Sequence, residues 1–332
     1  MVIPCYNEER FIRGALQQLV DQFDYERYEI IVVDGLSEDQ TRTLIEQFRR
    51  EHPELLVKLI DNPARNIPTA LNLGITEARG GIIARMDAHA VPSSGYIRRC
   101  VEVLNETNAG VVGMPCRIRP GADTLIARAI AEAVSHPFGI GDAKYRLRKG
   151  ESSQEAVDTV AFACFRKALW RELGGFNETL LTNEDYDFNY RVRLTGQKVI
   201  LDRSGHCDYF ARASLLGLAK QYFRYGGWKA RMLRLHPGSI KCRHLVAPAF
   251  VASLVLLTII GIFLSIPWWL LAFELGSYLL LSIIFGYQVA RETGETRFMI
   301  LIMPIVFFTI HVSWGASFFV GLIGNPGRKR DY

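Results

Sequence analysis

The 332-residue chain is short of the spacings by which several common chemistries announce themselves. Its six cysteines (Cys5, Cys100, Cys116, Cys164, Cys207, Cys242) contain no CxxC pair. Neither a zinc site nor a disulfide framework is expected, and reduced thiols of a cytoplasmic domain fit the scatter. No GxGxxG follows any apolar run and no P-loop occurs, which removes the dinucleotide-binding and Walker-type readings. Helix-turn-helix, zinc-finger and RNP patterns are missing too, so nucleic acid is not an expected partner despite a net charge of +5. No cleavable signal peptide opens the sequence. Met1-Val2-Ile3 already reads as a strand, short for a first buried one, which leaves open a start a few residues upstream.

Charge is scarcest late in the chain. Residues 245–323 are almost uncharged, whereas residues 1–244 have ordinary globular composition. Between Arg212 and Arg243 lie Lys220, Arg224, Lys229, Arg231, Arg234 and Lys241 and no acidic residue. A basic segment just before apolar spans is what the cytoplasmic side of a membrane selects for. The pattern predicts a domain over 1–211, a basic amphipathic interfacial segment over 212–244, a membrane region over 245–323 and a basic tail over 324–332.

In the first ninety residues strand and helix alternate four times. Tyr28 to Asp34 is a continuous apolar run of the kind found in central parallel strands. Asn7 is placed as an N-cap after Pro4 stops the first strand, and Ser37-Glu38-Asp39-Gln40 reads as a capping box. The fold class is therefore α/β, an open, doubly wound sheet with helices on both faces and carboxylates at successive strand ends. Gly81 to His89 reads as a buried strand that delivers Asp87 and His89 to the sheet edge where ligands bind. Side chains alternate along a strand, so the two are expected to point the same way. A carboxylate beside an imidazole holds a divalent cation, and a cation there neutralises a diphosphate. A turn-capping Asp and a packed His are the bland alternative.

Six pieces, in order, resemble glycosyltransferase family 2 with its GT-A fold. They are Val2 to Glu9, Val32 to Thr41, Asn66 with Ala70 to Gly74, Asp87-Ala88-His89, Gly174-Gly175-Phe176 and Asn183-Glu184-Asp185. The resemblance implies that Pro4, Tyr6, Glu8, Asp34, Arg65 and Asp87 bind a nucleotide sugar, with Asp34 on the uracil edge. Asp87 and His89 take the places of the family's metal motif. His in the third position suits Mn²⁺ better than Mg²⁺, or touches the diphosphate directly. Asp185 takes the place of the catalytic base, with Glu184 beside it at the acceptor. The bland alternative for Thr182 to Asp185 is a capping box in which Asp185 bonds back to Thr182. Phe176 reads as packing.

Ala213 to Leu235 has helical period, with Gly226-Gly227 as an expected kink. Within it Arg224 and Trp228 partly match a motif of family members that handle membrane acceptors, and Trp228 is either a sugar platform or an interfacial anchor. Residues 245–265, 267–287 and 298–323 are each long enough to span a bilayer, the first two as a hairpin. Glu274 is expected to face protein, an aqueous groove or substrate. Pro304, His311 and Gly315 leave the third segment either spanning or re-entrant. His311 to Gly315 resembles bacterial exopolysaccharide glucosyltransferases of the succinoglycan type.

The implied activity is inverting transfer of a sugar, glucose from UDP-glucose, to a polyprenyl-diphosphate-linked saccharide at the cytoplasmic face of the inner membrane, with Mn²⁺ or Mg²⁺. A processive polysaccharide synthase, a polyprenyl-phosphate sugar synthase and a catalytically dead scaffold are the rivals.

Overall fold

The computed structural model describes residues 1–20, 22, 28–147, 153–295 and 297–324. Phe23 and the basic triplet Arg328-Lys329-Arg330 lie outside the described residues. The elements, in order, are β1 (Val2–Cys5), α1 (Ile12–Val20), β2 (Glu29–Asp34), α2 (Thr41–Glu51), β3 (Leu56–Asp61), α3 (Ile67–Glu77), β4 (Ile82–Ala84), β5 (Val91–Pro92), α4 (Tyr96–Glu106), β6 (Ala109–Gly113) and β7 (Cys116–Arg119). They continue with α5 (Leu125–Ala133), α6 (Pro137–Ile140), β8 (Gln154–Ala156), β9 (Cys164–Arg166), α7 (Lys167–Glu172), α8 (Glu184–Leu194), β10 (Lys198–Asp202), β11 (Cys207–Phe210), α9 (Leu215–Leu235), α10 (Cys242–Gly261), α11 (Ile266–Thr293) and α12 (Phe298–Ile323). The chain divides into two compact units. One comprises Met1–Arg117 and Lys144–Tyr209, the other Ile118–Ala143 and Phe210–Lys329.

In the first unit β1, β2 and β3 run parallel, with Val2 opposite Ile31 and Ile30 opposite Val57. Every residue of β2 is buried, as its unbroken apolar run requires. β4 joins through a parallel bridge between Val2 and Arg85. The parallel pairing stops there. β9 lies antiparallel between β4 and β6, β10 returns parallel to β6, and β8 closes the edge antiparallel to β10. The sheet is therefore mixed. The core is continuous from Val2, Ile31 and Val33 through Leu71 and Ile75 to Phe165, Phe176 and Phe188. Gly74 lets α3 lie on the sheet, since a Cβ there would press on Val2 and Val33.

Two motif pieces turn out to be one clasp. Asn72 on α3 donates to the Phe176 carbonyl (2.9 Å) and accepts from the Phe176 N–H (2.8 Å) and Trp170 Nε1 (3.2 Å). Gly174 and Gly175 take positive φ to make the turn this grip needs. Phe176 packs on Phe188, as expected of it.

The second unit holds three helices long and apolar enough to cross a membrane: Cys242–Gly261, Ile266–Thr293 and Phe298–Ile323. α10 and α11 form the expected hairpin, where Trp268 Nε1 donates to the Gly261 carbonyl (2.8 Å). Glu274 faces protein and accepts from Ser253 Oγ (2.5 Å). α12 runs unbroken past Pro304. The residues that suggested a re-entrant segment are packing residues. Gly315 lies so close to the Ala247 carbonyl that no Cβ fits. His311 bonds Tyr278 Oη and the Phe138 carbonyl, both at 2.8 Å, so Nε2 carries the proton and Nδ1 accepts from the tyrosine.

α9 runs as one helix through Gly226-Gly227, where a kink was expected. The two glycines are a contact surface instead. A Cβ on Gly226 would run into Trp314 and Ser317, and one on Gly321 into the Gly227 backbone. Small residues on both helices let α9 and α12 approach backbone to backbone. Leu218, Tyr222, Trp228, Ala230 and Met232 are buried, while Leu216, Lys220, Phe223 and Arg224 stay exposed.

Candidate active site

The loops after β1 and β2 are zipped together at the carboxyl end of the sheet. Asn7 does not cap α1. Its φ is positive, its N–H donates to Ser37 Oγ (2.8 Å) and its side chain accepts from the Glu38 N–H (2.9 Å). The Glu8 N–H donates to Thr41 Oγ1 (2.7 Å) and the Gln40 N–H to Glu9 (3.0 Å). Ser37 is accordingly not the cap of α2. Its hydroxyl and N–H both serve Asp34, at 2.5 and 2.9 Å.

Asp34 has no solvent exposure and also receives Arg42 (2.8 Å) and the Cys5 thiol (3.5 Å). Its carboxylate is turned into the protein. Arg42 neutralises it and continues to Asp61 (2.8 Å). Burial, then the neighbouring Asp34 charge, pushes the Cys5 thiol far above its ordinary range, so it stays protonated. Pro4 does not stop β1 but lies buried within it opposite Val33. Tyr6 and Arg65 do come together. The Arg65 guanidinium sits 5.4 Å from the Tyr6 ring centroid and reaches Glu38 at 3.2 Å. The pair forms a part-exposed platform of a ring and a cation, suited to a base or a phosphate.

β4 ends at Ala84, so strand alternation no longer governs Asp87 and His89. The Ala90 N–H returns to the Asp87 carbonyl (3.1 Å) and turns the chain. His89 Nδ1 pairs with Glu8 (3.0 Å), whereas Asp87 turns to Arg85 (3.5 Å). Among the described residues no three His, Cys, Asp or Glu side chains gather closely enough to form a metal cage.

Arg85 is the residue the sequence reading passed over. It is 7% exposed, and its Nη2 reaches Glu184 Oε1 (2.9 Å) as well as Asp87. A lone charged residue inside the apolar run Ile82 to Met86 was the available signal. Glu184 opens α8 and is buried; Asn183 before it has positive φ and makes no side-chain cap. Asp185 accepts from the adjacent Tyr186 N–H (2.7 Å) rather than bonding back to Thr182, so the capping-box alternative is not what forms. Burial raises the Glu184 carboxyl to about 7; Arg85 opposes this, and the Asp185 and Asp87 charges reinforce it. Arg85 in turn is held charged despite burial by Asp87, Glu184 and Asp185. Two acids, Asp87 and Glu184, thus meet at one guanidinium just beyond β4, and Asp185 is the next residue of α8. Such a cluster can take a proton.

Of the expected acceptor residues, Glu184 is engaged by Arg85. Trp228, in the second unit, is buried with Arg231 over its ring (5.5 Å), and its indole is spent on packing. Arg224 is exposed on α9.

Residues 1–174 match the profile of the family described as glycosyl transferase family 2. A protein of Methanococcus voltae is 27% identical over 339 residues, spanning 99% of this chain and 98% of its own length. It is named dolichyl N-acetyl-alpha-D-glucosaminyl phosphate 3-beta-D-2,3-diacetamido-2,3-dideoxy-beta-D-glucuronosyltransferase. The succinoglycan biosynthesis protein ExoA of Rhizobium meliloti is 27% identical over 326 residues, spanning 97% of this chain and 94% of its own. Among solved structures, a mannosyltransferase from Pyrobaculum calidifontis in complex with GDP-Man and Mn²⁺ superposes with a TM-score of 0.58 at 19% identity, over 94% of this chain and 85% of that one. At that identity the likeness speaks to the fold, which is GT-A. With more than half its length matched by the family profile, the chain belongs to glycosyl transferase family 2.

Proposed function

We propose that this protein is an inverting, membrane-bound glycosyltransferase that moves glucose from UDP-glucose to a polyprenyl-diphosphate-linked saccharide at the cytoplasmic face of the membrane. The observation that carries the reading is the meeting of Asp87 and Glu184 at Arg85, with Asp185 the next residue of α8. The two relatives of full length support the substrate class, one named for a dolichyl-linked phosphate and the other for succinoglycan biosynthesis. Three apolar helices supply the membrane setting a polyprenyl acceptor needs.

In this reading Asp185 takes the proton from the acceptor hydroxyl as it attacks the anomeric carbon in line. Tyr6 and Arg65 receive the nucleotide, and Arg224, on the exposed face of α9, meets the acceptor or lipid phosphate. Asp87 and His89 are part-exposed oxygen and nitrogen donors at one strand end. They are the side chains that would hold a divalent cation there. When bound, that cation supplies positive charge for the departing UDP. Asp34 and Pro4 have a scaffolding part, holding the loops that carry Tyr6 and Glu8.

The test is a panel of sugar nucleotides offered to the full chain in detergent with a short-chain polyprenyl-diphosphate-linked glucose. One added sugar, with UDP-glucose preferred, is expected. Long polymer would favour the processive reading, and no transfer from any donor would defeat the proposal.

A further inference from the structure

We infer that Arg85 is a positioning residue, the tie that fixes the base-bearing start of α8 against Asp87 at the end of β4. The inference rests on the glycosyl-transfer reading and goes beyond it, because Arg85 takes no part in the roles assigned there.

The backbone of Arg85 is held from both sides of the sheet. Its N–H donates to the Ala163 carbonyl (2.9 Å), and it bridges to Val2. The side chain therefore starts from a rigid point. One nitrogen, Nη2, then spans two elements, meeting Glu184 of α8 at 2.9 Å and Asp87 at 3.5 Å. At the N-cap Asn183 offers no side-chain cap, and further along the first turn Asp187 pairs with Arg191 (2.7 Å). Asp185 is the next residue after Glu184, so where Arg85 holds Glu184 it also places Asp185. Removing the guanidinium would leave Glu184 and Asp87 without the group that spans them.

A strand-end ion pair kept for stability alone explains less. Nε of Arg85 is buried without a hydrogen-bond partner. An apolar side chain would avoid that penalty, and buried ion pairs often stabilise no better than apolar replacements. What an apolar residue cannot do is hold two carboxylates at a set spacing.

The experiment uses the full chain in detergent, UDP-glucose and a short-chain polyprenyl-diphosphate-linked glucose. Arg85→Met is expected to lower kcat about 100-fold, the scale of a 1 Å misplacement. Donor KM should move by less than about threefold. Arg85→Lys, which keeps the charge but not the span, should recover part of the loss. In a Glu184→Ala background the tie is already cut, and Arg85→Met should cost less than about threefold more. An undiminished loss in that background, or a loss confined to donor KM, would overturn the inference. If the unaltered chain transfers no sugar, the functional reading fails by itself. Amide exchange then decides the positioning role. Faster exchange at Tyr186 and Asp187 in Arg85→Met, with the rest of the chain unchanged, supports it; unchanged protection there sinks it.

Discussion

Gly226→Ala should be among the most damaging single-methyl changes available in this chain. A Cβ at that position would lie closer than 3.0 Å to both Ser317 Oγ and the Trp314 carbonyl, a separation real Cβ atoms do not show. The serine can rotate, but the carbonyl belongs to the backbone of α12 and cannot. The helices must then separate by on the order of 1 Å, and such a gap forfeits a quarter to a half of each contact along the seam. Overpacking of this kind costs about 2–3 kcal/mol. Gly276→Ala on α11 is the matched control, since nothing lies within 4 Å of a Cβ there. Thermal unfolding of the full chain in detergent, followed by tryptophan fluorescence, should show a clear loss for Gly226→Ala and none for Gly276→Ala. Equal behaviour of the two would mean that α9 does not dock on α12 and lies free at the membrane surface.

Asn72→Ala should cost about 2–3 kcal/mol in the same assay, because it strands both polar groups of Phe176; no loss would remove the clasp. Burial works to raise the Glu29 carboxyl, but the Arg79 N–H, Lys58 and the Gly80 N–H outweigh it and hold it below its usual 4.5. Its stabilising contribution is therefore present above pH 4.5 and lost as pH falls below, so the deficit of Glu29→Gln should shrink between about pH 6 and about pH 3. A deficit independent of pH would contradict that. Chelation should abolish transfer, and Mn²⁺ should restore more of it than Mg²⁺, since imidazole is a poor Mg²⁺ ligand. Equal restoration by the two ions would take His89 out of the ligand set.

What the sequence made legible was whatever local chemistry decides. The β-branched run ending at Asp34, the order of the family motifs and the three apolar segments each depend on neighbours in the chain, and each is found where expected. What it hid depends on partners far away. Asp34 looks unpartnered until Arg42, Ser37 and Cys5 are seen to surround it. Ser37 and Asn7 have the composition of caps, yet each bonds across 30 residues to the other loop. Gly226-Gly227 was read by backbone freedom alone, where the deciding fact is the close approach of Trp314 and Ser317. Arg85 was hidden by the assumption that a residue inside a strand serves the strand. The antiparallel entry of β9 has no local signature, because pairing direction follows from where the chain returns.

The most direct test of the central claim is Asp185→Asn, assayed for sugar transfer and, by calorimetry, for UDP binding. Loss of the base should lower turnover by about 10³-fold while the UDP dissociation constant changes by less than about threefold. An Asp185→Asn chain that keeps most of its turnover would show that no carboxylate is needed to activate the acceptor, as when a lipid phosphate is itself the nucleophile, and the assignment of this acid cluster as the catalytic centre would be wrong.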